Sequence, residues 1–123
     1  MLLVLLSATA WAISAEEEIR LGAQAAAQFE QKYGVVTDPA MAGRFERIGK
    51  TLVSNAQRQD LPWRFRVINV DEFNAAAFPG GFIYATKGLV QGLTDEELAF
   101  VVGHELGHAD LSHSDKQLES AQL

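Results

Sequence analysis

A capping signature, Thr94-Asp95-Glu96-Glu97, opens a stretch from Leu98 to Leu111 that is apolar on almost every side. Such a helix is stable only when other elements cover it, so it is expected in the interior with the rest of the chain built around it. The chain has 123 residues, 48% of them hydrophobic, which is enough for one modest core and not for two.

The same stretch contains His104-Glu105-Leu106-Gly107-His108, an H-E-x-x-H pattern. Four residues along an α-helix turn it by about 400° and raise it by about 6 Å, so the two imidazoles project from one face, one above the other. Zinc accepts imidazole nitrogen at roughly 2.0–2.1 Å, and His104 and His108 are therefore candidate ligands to one Zn2+ ion. Glu105 is rotated by about 100° from His104, beside such an ion and within reach of a water on it, which makes it a candidate general base. Random arrangement of the same composition would produce the pattern in roughly 0.6 per cent of chains. The alternative, core histidines satisfied by backbone carbonyls, must leave two imidazoles and a carboxylate on the most apolar segment, where an unpartnered polar group is costly. Gly103 and Gly107 each cost a helix roughly 1 kcal/mol relative to alanine, which fits either a close approach of a neighbouring element or simple tolerance of glycine.

Before this helix the pattern reads helix, helix, strand, strand. Ser14-Ala15-Glu16-Glu17 fits a capping box, and Ile19, Ala23, Ala26, Phe29 and Tyr33 recur at helical spacing up to a stop at Gly34. Asp38 and Pro39 suit the N-cap and first position of a second helix, with Met41, Phe45, Ile48 and Leu52 as its apolar stripe. Trp63 to Val70 and Phe82 to Thr86 suit strands, with a turn at Pro79-Gly80-Gly81 between them. The expected class is α+β: two N-terminal helices, a small sheet or hairpin, then the buried helix with the motif.

A net charge of -6 without a run of Lys or Arg removes the electrostatic footprint that nucleic acid requires. Arg44, Glu46, Arg47 and Lys50 mix signs as a solvated helix face does. The chain has no cysteine, which excludes a disulfide scaffold and a thiolate metal site. Residues 2–13 form an apolar run too short for a membrane-spanning helix of about 20 residues. Small-x-small sites at Ala8-Thr9-Ala10 and Ala10-Trp11-Ala12 follow, so residues 1–12 read as a signal peptide cut after Ala12, although no basic residue precedes Arg20; the alternative is a buried or interfacial segment of the mature fold. That reading implies a periplasmic or secreted protein with no membrane span of its own.

Taken together, Asn74-Ala75-Ala76-Ala77-Phe78-Pro79-Gly80-Gly81, the strand Phe82 to Thr86 and the segment Thr94 to His108 resemble one family. It is the family of zinc metallopeptidases that includes the CAAX prenyl proteases, the heat-shock protease HtpX and the periplasmic β-barrel assembly-enhancing protease. The resemblance extends over most of residues 14–123 and is nearest to the soluble periplasmic members. Ala76 departs from it by replacing the usual phenylalanine, and Asp110 and Ser112 stand where apolar and basic residues are commoner. The resemblance implies a zinc-dependent endopeptidase acting on protein or peptide substrates, which lie extended against the sheet edge near Phe82 to Thr86. It also implies a third zinc ligand, a glutamate on a helix later than Leu123. Residues 13–123 are then the N-terminal part of the catalytic domain, inactive alone.

Within the chain, His113 lies nine residues after His104, one short of the ten that H-E-x-x-H-x-x-G-x-x-H requires, and Leu111 stands in the place of its glycine. Asp115 and Glu119 have no motif around them. Two other readings compete with the peptidase: a truncated, non-catalytic binding module, which holds no zinc, and a metal-binding protein without hydrolytic activity.

Overall fold

The computed structural model describes residues 3–5 and 14–111, with side chains from Ser14 to Gly107. Its elements run β1 (Leu3–Leu5), α1 (Ala15–Tyr33), α2 (Pro39–Val53), β2 (Arg64–Ile68), β3 (Ala75–Phe78), β4 (Phe82–Thr86), α3 (Lys87–Gly92) and α4 (Asp95–Leu111). The class is α+β. Among the described residues no helix is long and apolar enough to cross a membrane.

The helix boundaries follow their capping chemistry. The Ser14 hydroxyl accepts from the Glu17 amide, and α1 stops at Gly34, whose φ of 82° suits a residue without a Cβ. Asp38 accepts from the Met41 amide with Pro39 at the start of α2. Thr94 and Glu97 exchange amide-to-side-chain bonds of 2.9 and 3.2 Å, a complete capping box.

The sheet order is β1-β3-β4-β2. β3 and β4 are antiparallel around Pro79-Gly80-Gly81, while β2 lies parallel to β4 on its other side. The sequence reading has that turn linking the Trp63–Val70 strand to Phe82–Thr86; the structure places a further strand, β3, in between. Ala75-Ala76-Ala77 carries little strand propensity, and burial on both faces by neighbouring elements overrides it. β1 pairs parallel with β3, Leu3 to Ala75 through Leu5 to Ala77. The remaining residues of the segment read as a signal peptide lie outside the described residues. The far edge, β2, is closed by Val35 and Val36, the Val36 amide donating 2.8 Å to Val67.

The alternation of strand side chains splits the core in two. Ala75, Ala77, Ile83 and Ala85 pack with Phe45 of α2 and with Leu98, Val102 and Leu106 of α4. Ala76, Phe78, Phe82 and Tyr84 pack on the opposite face with Ala26 and Phe29 of α1. The buried face of α1 is Glu18, Gly22 and Ala26: Ala26 belongs to the expected stripe, whereas Glu18 and Gly22 take the places expected of Ile19 and Ala23, and Ala23 is exposed. Glu18 tolerates burial because Arg58 pairs with it at 2.9 Å and the Gly80 amide donates to it. Gly22 lets α1 touch the turn, for a Cβ there would stand 1.5 Å from the Pro79 carbonyl oxygen. Arg44 leaves its helix face to donate to the Val90 and Leu93 carbonyls and to Asp95, joining α2 to the start of α4.

Candidate active site

The site is carried by α4, which lies beneath the sheet on the side opposite α1. Leu98, Val102, Glu105 and Leu106 recur at helical spacing and form its buried face. The helix is thus half-buried, and the expectation that apolar residues on almost every side would place it wholly in the interior is corrected. Phe100 is 80% exposed, and His104 and Gly107 are exposed as well.

His104 and His108 both fall within α4, four residues apart, so the backbone keeps the one-turn spacing that the motif requires. His108 contributes its backbone position only, since its side chain lies outside the described residues, as do His113, Asp115 and Glu119. Glu105 is fully buried, and neither of its carboxylate oxygens has a hydrogen-bond partner among the described residues. Removal from water disfavours the charged form and raises its pKa from 4.5 to about 7. A buried carboxylate without a partner is costly to a fold, and a carboxyl shifted this far by burial is a candidate for chemistry.

A close approach at Gly103 and Gly107 is absent: among the described residues nothing lies within 4 Å of a Cβ placed at either. The glycines are instead part of the open flank of the helix. Among the described residues no group of three or more His, Cys, Asp or Glu side chains is gathered for a metal. The residue types nevertheless fit one, since His104 and His108 lie one turn apart along the α4 backbone and imidazole nitrogen is a zinc donor, while Glu105, without a hydrogen-bond partner among the described residues, lies on the adjoining buried face.

The model of "Peptidase family M48" matches residues 39–123, more than half of the chain and inclusive of the whole of α4. The chain belongs to peptidase family M48. Relatives include the β-barrel assembly-enhancing proteases of Yersinia pestis, 30% identical, and of Escherichia coli K12, 31% identical, each over 111 residues. Each alignment covers 89% of this chain and 23% of the relative, so the chain spans about a quarter of the length of these proteins. Metalloprotease LoiP of Escherichia coli K12 is 30% identical over 113 residues, 91% of this chain and 44% of LoiP. The family resemblance read from the Asn74–Gly81 segment and the motif is therefore upheld.

Proposed function

We propose that this chain forms part of a zinc-dependent endopeptidase that hydrolyses protein or peptide substrates in the periplasm or outside the cell. The observation that carries the reading is the occurrence of a solvent-facing His104 beside a buried Glu105, unpartnered among the described residues, on the helix that also carries His108. His104 and His108 would hold the ion through imidazole nitrogens, with a glutamate beyond position 123 as the third protein ligand. When bound, zinc polarises the peptide carbonyl and acidifies water. Glu105 takes a proton from the attacking water and delivers it to the amine leaving group as the peptide C–N bond breaks. Its raised pKa, about 7, suits a group that must both accept and return a proton near neutral pH. The periplasmic or secreted location rests on the leader-like residues 1–12 and on the resemblance to the soluble periplasmic members of the family.

The full-length protein should cleave unfolded casein, lose activity on chelation and regain it with added zinc. His104→Ala should remain inactive after the same addition. Activity untouched by exhaustive chelation would refute the reading, and stoichiometric zinc without any cleavage would favour a metal-binding protein.

A further inference from the structure

The α1 side of the sheet holds a cavity of about 160 Å³. Phe29, Tyr33, Ile68, Val70, Ala76 and Tyr84 contribute to its apolar wall, and Glu72, Asn74 and Thr86 line it as well. The Tyr84 hydroxyl is already engaged by the Glu30 carboxylate, which Arg66 also holds at 2.9 Å. A predominantly apolar space of this size suits one ring, since a cavity of about 150 Å³ lined by Leu, Ile and Phe accepts benzene. It is too small for a drug-sized ligand, whose pockets run from about 300 Å³ upward.

The position of Ala76 connects this cavity to the sheet edge. The outer side of β3 holds the extended strand Leu3–Leu5, part of the segment read as a leader, and an added chain takes the place of that strand. Residues directly opposite one another on neighbouring strands share a face. On any chain added to β3, the residue paired with Ala76 therefore shares the α1 face with Ala76, which lines the cavity. The residues paired with Ala75 and Ala77 belong to the face beneath which α4 lies.

We propose that this cavity is a specificity pocket, which takes one large aromatic side chain from an extended peptide at the residue that pairs with Ala76. The proposal rests on the peptidase reading for its substrate. Ala76 is the decisive residue, because a larger side chain at that position would fill the space.

The test uses the full-length protein and a fluorogenic peptide series in which each position is changed in turn between Phe and Ala. One position should favour Phe by about tenfold or more in kcat/KM, the scale of discrimination that apolar pockets reach. Ala76→Leu should reduce that preference below about threefold and leave the other positions unchanged. Tyr33→Ala, at a residue 39% exposed, guards against a misfolded Ala76→Leu and should shift the preference from Phe toward Trp. The same peptides are titrated against Glu105→Gln to read binding without turnover. Binding that favours Phe and loses the preference with Ala76→Leu, in a protein that cleaves nothing, would support the pocket while refuting the peptidase. Cleavage with no position favouring Phe by more than about twofold, or a preference that survives both substitutions, would overturn the pocket alone.

Discussion

His104 and Glu105 are neighbours in the chain but face opposite environments: His104 is exposed on the open flank of α4, and Glu105 is sealed beneath the sheet with neither oxygen hydrogen-bonded among the described residues. A single 100° step of the helix produces this division. It separates a position that can meet an incoming ligand from one whose proton affinity is set by burial.

That burial has a consequence for stability. Glu105 titrates near 4.5 when solvated and near 7 in the fold, so between these values the folded chain keeps a proton that the unfolded chain has released. Stability of the metal-free protein should fall as pH rises from 4.5 to 7 and change no further above 7 on this account, a loss on the order of 3 kcal/mol. Glu105→Gln should flatten that slope and raise the melting temperature at pH 8. An identical pH slope in both proteins, followed by thermal unfolding, would contradict the assignment.

Metal binding should show the opposite dependence. Ligand imidazoles must be neutral, so zinc affinity should decline as pH falls below about 6.5, while a carboxylate-only site would hold until nearer pH 4. Equilibrium dialysis of the full-length protein distinguishes the two. His104→Ala and His108→Ala should each abolish binding at neutral pH, and His113→Ala should leave most of it. Binding that stays flat to pH 5 and survives His104→Ala would remove the histidines from the site.

Much of this arrangement was legible in the sequence because its signals are local. The capping pairs Ser14 with Glu17 and Thr94 with Glu97, the Gly34 stop and the motif spacing each depend on residues within one or two turns. β3 was not legible, since three alanines acquire strand geometry only from β4 and the helices that bury them. The burial of Glu18 was equally hidden, because it depends on Arg58, 40 residues away. The exposed flank of α4 was misread for a related reason: Phe100 and the motif glycines are apolar in composition, and composition does not say which face the sheet covers.

The contact between α1 and the turn should be intolerant of added volume. Gly22→Ala would drive a methyl group into the Pro79 carbonyl, and Gly80 of the same turn is already close against Ile19 of α1. A loss of about 1–3 kcal/mol is expected from chemical denaturation. Gly43→Ala in α2, where nothing lies within 4 Å, should be neutral or slightly stabilising and provides the control. Equal effects at both positions would show that the close approach is not made.

The central claim is that Glu105 moves the proton and does not hold the metal. Glu105→Gln in the full-length protein keeps the shape of the side chain and removes the base, so zinc content and unfolded-casein cleavage should be measured on the same preparation. The account predicts zinc content equal to the unmodified protein with cleavage reduced by about two orders of magnitude or more. Loss of the zinc, or cleavage near the unmodified rate, would contradict it.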